Sequence, residues 1–202
     1  MMNSFVARRR FLGLAAGFAA VLMLSGCLTS NVTNEWPDIA YGKSPAVRVN
    51  AARLDIQDAY RAPMGAPNVD HLFKVTPSMA AQTLASRQVI PVGGQNVMRV
   101  IVEDASVRRS TLPPKEGVLG LLPTEPDEQF DARVALRFEL ADEAAPDIVT
   151  GRASVVATRQ RTLTGGATLA QREKAYHDIV QALVDDLSQG ILTTVGGTFG
   201  QP

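Results

Sequence analysis

The alternation of apolar and polar residues is most regular between positions 130 and 140. In this stretch the even-numbered residues are apolar, and the odd-numbered residues are mostly charged. Because successive side chains of a strand point to opposite faces, this pattern predicts a strand with one buried and one solvated face. Such strands are typical of antiparallel sheets. The apolar set is Phe130, Ala132, Val134, Leu136, Phe138 and Leu140.

Weaker alternation predicts three more strands, at 46–56, 96–107 and 148–162. In the second of them Met98, Val100 and Val102 share one face. The segment 108–129 contains four prolines and no sustained period, so we predict an irregular connection. Connections of this length are usually functional or disordered.

Two helices are predicted from their start signals. Thr76 is a candidate N-cap, Pro77 suits the first helical position, and the pattern ends near Gln88. The second helix begins at Thr168, whose spacing to Gln171 matches a capping box. Its apolar stripe comprises Leu169, Tyr176, Ile179, Val180, Leu183, Val184, Leu187 and Ile191.

The predicted element order is therefore β-α-β-β-β-α. A strand, a helix and a second strand can form a parallel crossover unit, and the remaining strands can extend it as hairpins. Since each helix has one apolar stripe, we predict an α+β fold with a four-stranded mixed sheet and both helices on one face. The other face of the sheet is expected to remain open.

The amino-terminal residues have the features of an export signal. Three arginines, Arg8 to Arg10, precede 14 uncharged and mostly apolar residues, 11–24. At roughly 1.5 Å per residue, this stretch is too short for a ~30 Å hydrocarbon core, so a removable signal fits better than a membrane span.

The end of this leader, Leu24-Ser25-Gly26-Cys27, resembles the lipobox of bacterial lipoproteins. The resemblance implies that Cys27 is acylated and that the leader is cleaved before it. Two alternatives remain, an ordinary signal peptide with an incidental cysteine or a buried core cysteine. The anchor implied by the resemblance would hold the protein on a bilayer, because even two lipid signals suffice for stable attachment.

The same region bears on the export route and the destination. The segment from Arg8 to Gly13 resembles the twin-arginine consensus, although Ala7 occupies the position of the usual Ser or Thr, and general secretion is the alternative. The inner-membrane retention signal of lipoproteins, an Asp after the cysteine, is replaced by Leu28. The resemblance therefore implies an outer-membrane lipoprotein that faces the periplasm.

These observations divide the chain into four parts. They are a cleaved signal peptide (1–26), a lipidated cysteine with its tether (27–45), one periplasmic α+β domain (46–192) and a flexible tail (193–202). Trp36 lies in the tether, where it either docks onto the domain or serves in binding.

The topology over 46–192 also resembles that of small α+β envelope lipoproteins. These include the lipopolysaccharide-assembly lipoprotein, the auxiliary lipoproteins of lipid-transporting ABC systems and the lipoprotein activators of peptidoglycan synthases. No motif accompanies this resemblance, so it implies no functional residue, and fold does not determine function.

The charge and the cysteine content of the sequence argue against several classes of binding protein and of covalent or metal site. Removal of the leader takes away three of the 20 basic residues and none of the 20 acidic ones, so the mature chain has a net charge near −3. The sequence therefore lacks the strong excess of basic residues that is typical of nucleic-acid-binding proteins. With Cys27 acylated, no disulfide or cysteine metal site remains.

Catalytic patterns are also absent from the sequence. His71 and His177 are the only histidines, neither has a second His or Cys at metal-ligand spacing, and no Gly-x-Ser-x-Gly element occurs. We interpret both as solvated surface residues. No phosphate-binding or dinucleotide fingerprint is present. We predict a non-enzymatic protein without metal or cofactor.

Two candidate contact surfaces remain. On the open face of the sheet, Arg99, Arg133, Arg137 and Arg152 could pair with an envelope protein or an anionic head group. The alternative is a charge-balanced solvated face. The second candidate is the apolar segment 118–122, which either anchors the protein to a membrane or partner or folds back on the sheet edge. Its candidate residues are Leu119, Leu121 and Leu122.

The leading hypothesis is an accessory or structural partner in an envelope assembly. A lipid- or lipopolysaccharide-binding module is the alternative. A cavity between helices and sheet, lined by Met79, Leu84, Phe138 and Val180, would favour that alternative.

Overall fold

The computed structural model of the chain describes residues 36–113 and 126–201. Cys27, the leader and the predicted apolar segment 118–122 lie outside the described residues. The strands are β1 (Val47–Val49), β2 (Arg53–Asp58), β3 (Val89–Pro91), β4 (Asn96–Asp104), β5 (Val107–Thr111), β6 (Glu128–Asp142) and β7 (Val149–Leu163). The α-helices are α1 (Pro77–Gln88), α2 (Leu169–Gly190) and α3 (Gly196–Phe199), with a 3-10 turn at Asp70–Leu72 and a π-helical segment at Ile191–Val195.

The main sheet is mixed and has five strands rather than the predicted four. β7 pairs antiparallel with β6 along almost its whole length, while β4 and β5 pair with successive parts of β6 and so share its other edge. β2 lies outside β4 and is parallel to it. The sheet is therefore four strands wide, and the predicted parallel crossover through α1 is confirmed.

The extra strand arises because the predicted strand 96–107 is interrupted. Its register against β6 shifts between Val102 and Asp104, and the Asp104 carboxylate accepts a hydrogen bond from the backbone of Ser106 at 3.0 Å. An Asp side chain that accepts a hydrogen bond from the backbone N–H two residues later favours a turn over continued strand pairing. β5 then extends the pairing to Thr111, into the segment predicted to be irregular.

The predicted strand 46–56 is likewise divided in two. β1 and β2 are separated at Ala51, whose backbone N–H donates to Val49 O at 2.9 Å. β1 pairs in parallel with β3, a short strand directly after α1, to form a separate two-stranded sheet. That second sheet was not predicted, since neither of its three-residue strands is long enough to show a period.

Both helix starts follow the predicted capping chemistry. Thr76 Oγ1 accepts a hydrogen bond from Met79 N at 3.2 Å, and Thr168 and Gln171 form the reciprocal capping box. The helices pack against the same face of the sheet, because their buried residues belong to one core cluster with those of β4 and β6. Each fully buried large aliphatic or aromatic side chain contributes about 1.5–3 kcal/mol, so this layer supplies the main stabilisation.

The carboxyl terminus differs from the predicted flexible tail. The chain continues from α2 through the π-helical segment into α3, and Val195 is fully buried. Phe199 lies over β7 so closely that a Cβ on Gly151 would be 2.7 Å from its ring. Backbone contacts to β1 follow, including the Gln201 N–H to Arg48 O at 2.9 Å. The predicted glycine-rich tail is thus part of the domain.

Part of the predicted tether is also docked. The segment 36–43, which we call the docked segment, lies along α2: His177 Nε2 is 2.8 Å from Pro37 O, and Gln181 exchanges two hydrogen bonds with the backbone of Ala40 at 2.8 and 3.1 Å. Lys43 pairs with Asp185. The predicted tether is therefore shortened at its domain end.

Candidate interaction face

The four predicted arginines share the face of the main sheet that points away from the helices. Arg99 lies on β4, Arg133 and Arg137 on β6, and Arg152 on β7. Their neighbours in sequence, such as Val100 and Leu136, belong to the helix-covered core. The structure thus brings these arginines onto one surface, which we call the charged face.

A row of alternating charge crosses this face at right angles to the strands. Strand register places Asp55 of β2 beside Arg99, Arg99 beside Glu139, and Glu139 beside Arg152. Opposite charges at directly paired positions of neighbouring strands stabilise a sheet. The row therefore spans the full width of the sheet, and each charge has an opposite charge beside it.

Glu139 is the centre of this row and is only 3% exposed. Arg99 Nη1 donates to Glu139 Oε2 at 3.2 Å and Arg152 Nε to Oε1 at 3.2 Å, while Arg137 Nη1 contacts the same Oε1. Burial by itself would raise the pKa of Glu139, but the charge of Arg137 and the hydrogen bonds from Arg152 and Arg99 hold it below its usual value. Glu139 is thus a buried carboxylate that orients three arginines.

The remaining pairs flank the row. Arg137 Nε also pairs with Glu103 at 2.5 Å, and that hydrogen bond raises the pKa of Arg137 against the opposing effect of burial. Arg133 Nε pairs separately with Asp104 at 3.2 Å. Arg133 is therefore not part of the cluster around Glu139.

Two of the four arginines, Arg133 and Arg152, use only Nε in their ion pairs on this face. Arg133 and Arg152 contact their carboxylates through Nε, and their side chains are 50% and 66% exposed. A guanidinium has five N–H donors, so the terminal Nη groups of both can approach a carboxylate or phosphate in a bidentate manner. Arg99 differs, because its Nη groups reach Glu139 and the carbonyl of Pro146.

The charged face also includes an apolar spot between these arginines. Val156 is paired with Ala135, which follows Arg133 by two residues and precedes Arg137 by two. Val156 is 49% exposed, whereas Ala135 is buried. An incoming chain would therefore meet an aliphatic contact flanked by guanidinium groups.

The two histidines are less solvated than predicted. The His177 side chain is 19% exposed, with its Nε2 at Pro37 O and its Nδ1 3.8 Å from Asp178. His71 is half-buried in the 3-10 turn. Within residues 36–113 and 126–201, no group of three or more His, Cys, Asp or Glu side chains is arranged to hold a metal ion.

A second buried carboxylate, Asp70, lies in a stretch whose sequence does not indicate its burial. Asp70 is 3% exposed, and it lies near the buried hydroxyl of Tyr60. Burial first, and then the charges of Asp70 and Asp104, raise the pKa of Tyr60 to about 12. The phenol therefore stays protonated, and we assign Tyr60 and Asp70 a structural role.

The docked segment was also missed, although Ile39 and Tyr41 stand out as apolar residues in a polar stretch. Ile39 is buried in the core, and Tyr41 packs under Arg87 of α1 with 4.9 Å between the guanidinium carbon and the ring centroid. Lys174 Nζ lies 5.8 Å from the centre of the Trp36 ring. The prediction that Trp36 docks onto the domain agrees with this contact.

The described residues on either side of the segment 114–125, which carries Leu119, Leu121 and Leu122, lie next to each other. Leu112 N donates to Asp127 O at 2.8 Å, and Asp127 Oδ1 accepts from Gly165 N at 3.1 Å. Leu112 and Asp127 therefore both lie near the start of α2. No helix in the described part of the chain combines the length and apolarity needed to cross a membrane.

No family model matches the chain, and no curated protein matches it. Among solved structures, it is similar to a minor lipoprotein from Acinetobacter baumannii, with 16% identity and a TM-score of 0.39 over 76% of this chain and 99% of the other. Rare lipoprotein B from Shewanella oneidensis matches with 16% identity and a TM-score of 0.34 over 70% and 94%. A homolog of neuraminyllactose-binding hemagglutinin from Helicobacter pylori matches with 7% identity and a TM-score of 0.37 over 77% and 91%. These scores are too low to assign a role.

Proposed function

We propose that this chain is a lipid-anchored outer-membrane protein whose periplasmic domain is a non-enzymatic accessory partner in a cell-envelope assembly. The anchor rests on the segment Leu24-Ser25-Gly26-Cys27, and the accessory role rests on the charged face. The partner bears an acidic segment that pairs with Arg133 and Arg152.

The observation that carries the accessory role is the support of the charged face by Glu139. A side chain already fixed in one geometry loses less conformational freedom when a partner binds. Arg152 is held through Nε by Glu139 and keeps its outer donors. Arg133 is held in the same way by Asp104. Such preorganisation favours binding over mere solvation of the charges.

Affinity capture with matched variants tests this role. The lipidated protein is purified gently in detergent from its native envelope, with Arg133→Glu/Arg152→Gln as the test variant. Arg159→Glu is the control, because Arg159 is also an exposed β7 arginine with one ion pair, to Asp186, but on the helix side. We expect a stoichiometric partner to be lost only from the test variant. Equal capture by all three proteins would contradict the proposal.

The anchor has a separate test. Cys27→Ala should abolish acylation and release the protein from membranes, as measured by fractionation and by mass spectrometry of the amino-terminal peptide. Continued membrane association of a processed, unacylated chain would contradict the lipoprotein assignment.

The alternative, a lipid-binding module, receives less support from the packing. Leu84, Phe138 and Val180, three of the four side chains expected to line a cavity, belong to the buried core cluster. Met79 is 56% exposed on the outer side of α1. These positions favour a packed layer, and a lipid without a protein in the capture experiment would support the alternative instead.

A further inference from the structure

The β6–β7 hairpin has two ends that are far apart along the strands. The hairpin of β6 and β7 turns at 143–148, whereas the strands begin and end at Glu128 and Leu163. With 15 residues in β6, the ends are roughly 45–50 Å apart. α2 follows at Leu169 and runs back along β7, because Asp178 pairs with Arg161 and Asp186 with Arg159. The start of α2 therefore marks one end and the hairpin turn the other.

The docked segment fixes where the chain leaves this domain. It runs in the same direction as α2, since Pro37 lies beside His177, Ala40 beside Gln181 and Lys43 beside Asp185. Trp36 is thus placed at the first turns of α2, next to Lys174. The path towards Cys27 begins at the α2 end of the domain.

Chain length then limits the orientation of the domain. Nine residue steps separate Cys27 from Trp36, which span at most about 30 Å when fully extended. An inverted domain, with the hairpin turn on the bilayer, would raise Trp36 by roughly the 45–50 Å length of the sheet. That distance exceeds the span of these nine residue steps. A tether free up to residue 45 would span about 60 Å and would permit inversion.

We infer that the α2 end of the domain, around Leu169, is a bilayer-facing surface that contacts the same phospholipid membrane as the anchor. This inference rests on the proposed lipidation of Cys27. Leu169 is 72% exposed at the start of α2, and an exposed leucine beside the anchor point adds apolar contact with the interface. Lys174 lies near the same end, where its amine pairs with Asp178 at 2.8 Å.

The test uses the full-length lipidated protein in vesicles of phosphatidylethanolamine and phosphatidylglycerol that contain a nitroxide-labelled phospholipid. Cys27 is the only cysteine of the chain, so acylation leaves an introduced cysteine as the sole free thiol. A fluorophore is attached in Leu169→Cys or, as the control, in Ile148→Cys, which is 58% exposed at the hairpin turn. We expect at least threefold stronger lipid quenching at position 169 than at position 148.

A further variant tests the role of the docked segment. His177→Ala/Gln181→Ala removes the side chains that bind Pro37 and Ala40. In this background the difference in quenching between the two labels should fall, because the longer free tether permits other orientations. An unchanged difference in a variant whose Trp36 emission shows release of the segment would overturn the proposed orientation.

The outcomes separate the two proposals. Loss of vesicle flotation in Cys27→Ser would support the lipid anchor. If the two labels were nevertheless quenched equally in the otherwise native chain, the anchor would stand and the proposed orientation would be overturned. Stronger quenching at 148 would overturn it as well. Flotation that does not depend on Cys27 would contradict the lipid anchor and the orientation together.

Discussion

Arg152 and Glu139 face each other across β7 and β6, and Arg152 Nε donates to Glu139 Oε1 at 3.2 Å. The pair is asymmetric, because the carboxylate is buried while most of the Arg152 side chain is in solvent. Removal of the arginine leaves Glu139 two other partners. Removal of the carboxylate leaves three guanidinium groups close together without their common counter-charge.

Substitution of Glu139 is therefore expected to be costly. Glu139→Gln keeps the shape of the side chain but removes the charge and presents N–H groups to the arginine donors. We expect a loss of about 2 kcal/mol in the free energy of unfolding, since breaking a buried ion pair from one side is strongly destabilising. Urea denaturation measures this. Glu103→Gln, at a 43% exposed partner of Arg137, should cost less than about 1 kcal/mol, and an equal loss in both variants would contradict the role of Glu139.

The pH dependence of this stabilisation has a definite sign. Burial acts against ionisation of Glu139, but Arg137, Arg152 and Arg99 outweigh it, so its pKa in the folded protein is below the ordinary 4.5. A group with a lowered pKa in the folded state stabilises that state above its unfolded pKa and loses the effect as pH falls through the folded pKa. The difference in unfolding free energy between wild type and Glu139→Gln should thus be constant from pH 7 to about 5.5. It should shrink below 4.5, and a difference that grows on acidification would refute this assignment.

The packing of α2 on β7 depends on a glycine at the end of the helix. A Cβ on Gly190 would overlap Val155 Cγ1. Alanine is favoured over glycine within helices by about 1 kcal/mol, but overpacking of a close contact usually costs about 1–3 kcal/mol. We therefore expect Gly190→Ala to lower the free energy of unfolding by about 1–2 kcal/mol. Gly197→Ala, a helical site with nothing within 4 Å of the new Cβ, should be neutral or slightly stabilising in the same thermal or urea unfolding assay.

The sequence predicted those parts of the fold that depend on local periodicity. β6 was identified because apolar residues alternate with mostly charged ones over 130–140, and α2 because its stripe and capping box agree. The burial of Glu139 could not be predicted in this way, since it depends on Arg99 and Arg152 in two other strands and on the register between them. The four arginines were placed correctly on one face, but the sequence did not indicate which of them would be held by carboxylates.

Both misassigned ends of the domain have a similar cause. The docked segment is too short to show a period, and its partners on α2 are about 140 residues away in sequence. At the other terminus, paired glycines are typical of flexible chain, but Val195 follows Ile191 by four residues and continues the stripe of α2. That spacing was the signal that could have extended the helical region.

The docked segment can be followed through Trp36, the only tryptophan of the chain. Its indole nitrogen is buried, so docking should give a blue-shifted emission and weak quenching by acrylamide. In His177→Ala/Gln181→Ala the segment loses its hydrogen bonds at Pro37 and Ala40, next to Trp36, and we expect a red shift and at least twofold stronger quenching. The free energy of unfolding should change by less than about 1 kcal/mol, because these bonds lie at the surface.

Gln160→Ala, which removes a glutamine bonded to Asp131 on the charged face, is the control and should leave the Trp36 emission unchanged. An unaltered Trp36 spectrum in the double variant would show that Ile39 and Tyr41 hold the segment without the polar contacts.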